Sequence, residues 1–191
     1  LLFFYAYFSH YIKYPIAEFQ KEILGIINAE YEKRVVIEAF RGSAKSTIIS
    51  LVFPIWAVIG QPQYKFIVIL GQTQEQARMY LGNIKREFEE NELLKKDLGP
   101  FQEVTDEWRN VSLVIPKYGA KIMAVSVDQA VRGLRFKEHR PDLLILDDLE
   151  DIESVRTKEN RDKLFGIIMS NVIPMGELHT RLFFVGTRLH N

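Results

Sequence analysis

VVIEAFRGSAKST, running from Val35 to Thr47, sets a short apolar run ahead of a tight glycine-containing turn that closes on Lys-Ser-Thr. Val35, Val36 and Ile37 read as a strand and the residues after the turn as the start of a helix. A polyphosphate is held by such a unit because inward-pointing backbone N–H groups and a helix N-terminus attract anionic oxygens. A lysine then reaches the outer phosphates and a hydroxyl faces Mg²⁺. In that reading Arg41, Gly42, Ser43 and Ala44 wrap the phosphates, Lys45 is the cation, Ser46 is the Mg²⁺-side hydroxyl and Thr47 is its neighbour. The stretch departs from G-x-x-x-x-G-K-[ST], since Ala39 and Ala44 stand where the pattern has glycines, with Gly42 and an extra cation, Arg41, between them. Taken alone, it reads equally as an incidental strand, turn and helix.

A second motif lies downstream. PDLLILDDLE, Pro141 to Glu150, is an apolar strand over Leu143 to Leu146 that delivers carboxylates at its C-terminal end, the end at which open α/β sheets bind ligands. This is the Walker B arrangement: Asp147 holds Mg²⁺ through water and a following carboxylate polarises the attacking water. Glu150, longer than Asp148 and two residues beyond it, is the preferred base, with Asp148 close behind. Read alone, the run is a buried strand ending in an acidic loop; the two motifs together, in this order, point to a nucleotide site.

With both motifs in place the chain resembles the ATPase domain of the large terminase subunit of tailed bacteriophages, the motor that pumps DNA into an empty capsid. The resemblance runs along nearly the whole chain. Ala17-Glu18-Phe19-Gln20 is similar to the family's adenine-recognition element, and FRGSAKS to its arginine-bearing Walker A variant. VILGQTQEQA (Val68 to Ala77) is similar to its next strand-to-helix segment, VRGLRFKEHRPDLLILDDLED (Val131 to Asp151) to its arginine-rich approach to Walker B, and FFVGTRLHN (Phe183 to Asn191) to its coupling motif.

The resemblance implies an α/β fold of the RecA-like P-loop NTPase (ASCE) type, a mostly parallel central sheet flanked by helices with a β-hairpin insertion. It implies one domain over 1–191, with 1–34 as a helical, adenine-side segment and 35–191 as the nucleotide-binding core; the family's C-terminal nuclease domain is expected to be absent. ATP and Mg²⁺ are the implied cofactors. Double-stranded viral DNA, a portal protein, a small terminase subunit and a homo-oligomeric ring are the implied partners, in the host cell cytoplasm on a procapsid and without a membrane. Gln20 would hydrogen-bond the adenine and Phe19 pack on it. Arg41 would be a second cation or a sensor, and Thr187, after Gly186, would report loss of the γ-phosphate. Arg132, Arg135 and Arg140, with Lys137, form a cluster from which an arginine finger reaches a neighbouring subunit, contacts DNA phosphates or merely solvates a loop; Arg132 and Arg140 are the finger candidates. Two other readings share the Walker motifs: a helicase- or recombinase-like ATPase, and an assembly module that binds nucleotide without turnover.

Composition is consistent with this class. The chain has 191 residues, 47% hydrophobic and 26% charged, enough for a substantial core. It contains no cysteine, which removes disulfides and thiolate metal sites. Four histidines, His10, His139, His179 and His190, lack ligand spacing. The zero formal net charge is unlike a dedicated DNA-binding domain, so contact with DNA would be local or shared among subunits. LLFFYAYF at the start is too short to span a membrane and lacks the positive flank of a signal peptide, so it reads as a packing helix. The lack of an initiator methionine and the end at Asn191 read as a chain trimmed at its start and cut at a domain boundary.

Val35 to Ala39, Lys65 to Leu70, Leu143 to Leu146 and Arg181 to Val185 read as parallel strands buried on both faces. Lys45 to Ile59 reads as a buried helix kinked at Pro54. Thr73 and Gln76 form a capping box ahead of Ala77, Leu81, Ile84 and Phe88 at helical spacing, with the charges of 85–90 on a solvated face. A hairpin is expected within 111–127 about Pro116 to Gly119, and a helix over 157–170.

Overall fold

The computed structural model describes residues 1–29, 31–102, 111–130, 133–150 and 156–187. Its centre is a six-stranded sheet in the order β1-β6-β5-β2-β4-β3, formed by β1 (Arg34–Glu38), β2 (Phe66–Gly71), β3 (Ser112–Ile115), β4 (Ala120–Ser126), β5 (Leu143–Asp147) and β6 (Arg181–Gly186). All neighbours pair in parallel except the β3/β4 edge, where Leu113 faces Ile122 in antiparallel register. The four strands read from the sequence are β1, β2, β5 and β6. The hairpin is present too, turning through Gly119 at φ 58°, and its second strand joins the main sheet beside β2 rather than standing apart from it.

The helices are α1 (Leu2–Tyr7), α2 (Glu18–Asn28), α3 (Phe53–Ile59), α4 (Gln74–Glu90), α5 (Glu92–Leu98) and α6 (Lys158–Ile167). One core joins α1 to α4 with Ile37, Ile67, Ile69, Ile145 and Phe183. A second, on the opposite sheet face, joins Val68, Leu70, Leu144, Leu146 and Leu182 to Val172 and Met175 beyond α6. Every residue of β2 and of β5 is buried, as their unbroken apolar runs predict. The edge strand β1 departs from that expectation: it alternates, and Val36 is 79% exposed, because no strand lies beyond it and nothing described covers that face.

The LLFFYAYF segment forms α1 and buries Phe4 and Phe8. The helix after the phosphate loop is wound as π turns over Thr47–Val52 before α3; the wider turns take up the ladder position that Pro54 cannot fill. Thr73 caps α4 by accepting from Gln76 N at 3.1 Å, whereas the Gln76 side chain returns to Gln72 N at 2.8 Å, one residue before the cap. The solvated face expected over 85–90 is interrupted by Glu87, which is buried and takes His10 Nε2 at 3.2 Å, the Tyr11 hydroxyl at 2.7 Å and Asn91 Nδ2 at 2.9 Å. Helix α5 had no counterpart in the sequence reading. No described helix is long and apolar enough to cross a membrane.

Candidate functional site

The C-terminal ends of β1, β5, β6 and β2 bring their loops together around a cleft of about 850 Å³ lined by Arg41 to Thr47, Gln72, Thr73, Gln76, Asp148, Glu150 and Thr187. Parallel pairing does this: β6 lies between β1 and β5, so Lys45 and Thr187, 142 positions apart in the chain, share one rim.

The phosphate loop leaves β1 at Ala39, whose N–H donates to Gly186 O at 3.2 Å, and turns through Gly42 at φ 82° and Ala44 at φ 63°. Ala44 therefore takes the left-handed backbone for which the phosphate-loop pattern reserves glycine. The helical ladder begins immediately, with Ile48 N donating to Ala44 O at 3.0 Å, which leaves the N–H groups ahead of it unused by the helix. Ser43 is 2% exposed and its hydroxyl has no hydrogen-bond partner among the described residues, a donor awaiting an acceptor in the loop that would cradle phosphate.

Lys45 is buried and points across the cleft, donating to the Thr187 hydroxyl at 2.7 Å and lying 3.5 Å from Asp148 Oδ2. Thr187 in turn donates to Asp148 Oδ1 at 3.2 Å. Asp147, at the end of β5, is wholly buried. It accepts from Ser50 at 2.6 Å and from Ser46 at 3.2 Å. Burial, first of all, pushes the Asp147 carboxyl up; the Ser50 and Ser46 hydroxyls oppose this, Asp148 adds to it and Lys45 opposes it. The cluster of one carboxylate and serine hydroxyls is a hard-oxygen set of the kind Mg²⁺ accepts alongside water and phosphate, so the residues fit the metal that the motif implies.

Asp148 also has positive φ, 44°, and its N–H donates to Val185 O at 2.9 Å. Glu150 is exposed at the rim and also lines a second cleft on the β1/β6 face with Val36, Phe184 and α6 residues. Arg41 is exposed on the loop. Gln20 accepts from Ala17 N at 3.0 Å and donates one amide N–H to Ser43 O at 2.8 Å, tying α2 to the phosphate loop. Phe19 packs edge-on against Phe40 at 5.5 Å, and both line a cleft of about 360 Å³ beside the loop with Tyr14 and Gln20.

Arg135 and Arg140 of the arginine cluster are set elsewhere. Arg140 precedes β5, at the end of the sheet remote from the phosphate loop, where its Nε is 3.4 Å from Glu177 and its Nη1 donates to Pro174 O. Arg135 is exposed in the same connection. Arg132 lies outside the described residues, as do Asp151 and residues 188–191 of the coupling motif.

Three contributors were missed in the sequence: Ser50, Gln76 and Tyr80. Ser50 had a signal, as the lone hydroxyl in the apolar run from Ile48 to Ile59, one helical turn after Ser46. Tyr80 is buried against the carboxylates, accepting from Gln76 Nε2 at 2.7 Å and donating to Asp147 O at 3.4 Å. Burial, then the charges of Asp147 and Asp148, push its phenol pKa up, which keeps it a hydroxyl. Nothing in its helical spacing separated it from core.

No protein-family model matches the sequence, and a comparison with curated proteins finds no match. Solved structures do share the fold. The HK97 bacteriophage large terminase superposes over 91% of this chain with a TM-score of 0.60 at 15% identity. The large terminase ATPase domain of Thermus phage P74-26 superposes over 90% with a TM-score of 0.55 at 19% identity. The chain spans 33% of the former and 69% of the latter. It therefore has the RecA-like α/β fold of large terminase ATPase domains.

Proposed function

We propose that this chain is an ATP-hydrolysing motor domain of a viral large terminase, driving double-stranded DNA into a procapsid. The observation that carries the reading is the meeting of Lys45 and Ser46, from one motif, with Asp147 and Asp148, from the other, at hydrogen-bond or ion-pair distance across one cleft. The fold shared with terminase ATPase domains supports the particular kind of ATPase.

In this reading the triphosphate lies along residues 41–47, its oxygens taking the free N–H groups and the Ser43 hydroxyl, with the base in the aromatic cleft beside Phe19, Phe40 and Gln20. Gln20 contributes chiefly by fixing the loop through Ser43 O. Ser46, and Asp147 through water, would hold Mg²⁺, which supplies charge neutralisation at the outer phosphate oxygens. Lys45 exchanges Thr187 and Asp148 for the γ-phosphate and neutralises charge there. Glu150 is the base that orients the attacking water: it borders the same cleft as the phosphate loop, and its side chain is one methylene longer than that of Asp148. Asp148 is the second candidate. Thr187 senses the γ-phosphate because it shares Lys45 with it, and Arg41 is the loop's additional cation. An arginine of the 132–140 segment, Arg132 or Arg140, completes the site of a neighbouring subunit in a ring. DNA, a portal protein and a small terminase subunit are the partners, on a procapsid in the host cell.

Steady-state ATP hydrolysis across a wide protein concentration range tests this. Expected are Mg²⁺ dependence, a rise steeper than linear with concentration, loss in Lys45→Ala, and a larger defect in Glu150→Ala than in Asp148→Ala. Hydrolysis that survives Lys45→Ala undiminished would refute the assignment.

A further inference from the structure

We propose that Gln76 and Tyr80, on α4, are positioning residues that fix the peptide joining Asp147 to Asp148, and with it the Asp148 carboxylate and the start of the loop that carries Glu150, the water-orienting base. The inference rests on the ATPase reading above.

A continuous relay of hydrogen bonds carries it. Where β2 ends, Gln72 N–H donates to Gln76 Oε1 at 2.8 Å. Gln76 Nε2 donates to the Tyr80 hydroxyl at 2.7 Å, and that hydroxyl donates to the carbonyl of Asp147 at 3.4 Å. The N–H on the other side of the same peptide, that of Asp148, donates to Val185 O on β6 at 2.9 Å. The peptide joining Asp147 to Asp148 is thus held at both ends, by α4 and by β6.

That peptide is where the backbone leaves ordinary strand geometry, since Asp148 sits at φ 44°, a conformation that persists in an L-residue only where its surroundings impose it. Rotation of the peptide would swing the Asp148 carboxylate away from Lys45 and Thr187. Gln76 has no slack in which to follow: Oε1 and Nε2 are both engaged, and a Cβ on Gly71 would come within 3.2 Å of Oε1. Gln76 also lines the cleft itself, so a bound nucleotide and the Walker B peptide meet the same side chain. The relay depends on Gln76 donating. If it could only accept, the Tyr80 hydroxyl would turn its proton to residue 76 and release the Asp147 carbonyl.

Two substitutions in the full chain test this without emptying the core. Tyr80→Phe keeps the ring and removes the hydroxyl. Gln76→Glu keeps the acceptor for Gln72 N but removes the donor. Each is measured for kcat, for ADP affinity, and for affinity toward ADP with aluminium fluoride, which imitates the transferring phosphoryl group and needs no turnover. Misplacement of a water-orienting group predicts, for both variants, kcat and aluminium fluoride affinity down about tenfold, while in Tyr80→Phe, which adds no charge to the cleft, ADP affinity stays within about twofold. Unchanged kcat and analogue affinity in either variant would overturn the proposal, as would an equal loss of affinity for ADP and for the analogue in Tyr80→Phe, which marks a general structural role. Failure of the unmodified chain to bind either ligand would instead overturn the ATPase reading, and this inference with it.

Discussion

Arg181 opens β6 with a guanidinium that is 2% exposed, and its replacement should be among the more costly single changes in the chain. Its five N–H groups are all committed: Nε to Glu32 O at 3.0 Å, Nη1 to Ile27 O at 2.8 Å and the Tyr64 hydroxyl at 3.3 Å, Nη2 to Ile26 O at 3.0 Å and Ala29 O at 3.2 Å. These carbonyls lie at and just beyond the C-terminal end of α2, where a helix leaves acceptors unused and favours a cation. The Ile27 contact is fully buried, and leaving that carbonyl bare costs about 1–3 kcal/mol. The other three carbonyls can exchange a charge-assisted bond for water, at about 0.5 kcal/mol each. The guanidinium also stacks over Phe183 at 4.9 Å, worth about 0.5–1 kcal/mol. Relief of guanidinium desolvation offsets part of this. Arg181→Met, which keeps most of the volume, should therefore lose about 3 kcal/mol, or about 6–12 °C in melting midpoint for a chain of this size. Arg181→Lys should recover only a minor part, because an ammonium cannot span four carbonyls. Urea unfolding of the three proteins reads this directly. A methionine variant within about 1 kcal/mol of the parent, or a lysine variant equal to it, would refute the reasoning.

Ala44→Gly should stabilise the nucleotide-free chain by about 0.5–1 kcal/mol, the left-handed strain of about 1–2 kcal/mol less the freedom glycine gains on unfolding; a denaturation midpoint at or below the parent's would contradict it. Asp147→Asn should stabilise the nucleotide-free chain while removing Mg²⁺-dependent ATP affinity. The folded pKa of Asp147 is raised, so the folded chain holds that proton longer. Its stability should fall as pH rises from the unfolded carboxylate value through the folded one; asparagine should remove that slope in pH-dependent unfolding, and an unchanged slope would show that Asp147 is not its source.

Much of this site was legible because phosphate chemistry constrains residue type at fixed spacing. Lys45, Ser46 and Asp147 stand in motifs at the C-terminal ends of β1 and β5, two strands with β6 between them, and the structure brings Ser46 and Asp147 to 3.2 Å. Other features were hidden because they depend on contacts between distant segments. Arg181 read as the first residue of an apolar strand, and its role emerges only when β6 pairs with β1 and passes under the end of α2. Glu87 read as part of a solvated face, but α1 and the turn after it fold over that position and supply His10 and Tyr11. Gln76 read as half of a capping box, and its actual acceptor role one residue earlier, at Gln72, connects it to Tyr80. Val36 read as buried on an apolar run, yet burial of a strand face depends on what lies beyond an edge, which its own residues do not encode.

The measurement that bears most directly on the central claim is the dissociation constant for ATP, with and without Mg²⁺, of the unmodified chain and of Lys45→Ala. The account predicts saturable binding that is tighter with Mg²⁺ and weakened at least about tenfold, or about 1.4 kcal/mol, by Lys45→Ala. Binding of equal strength in both proteins, or none in either, would contradict the assignment of this cleft to a nucleotide.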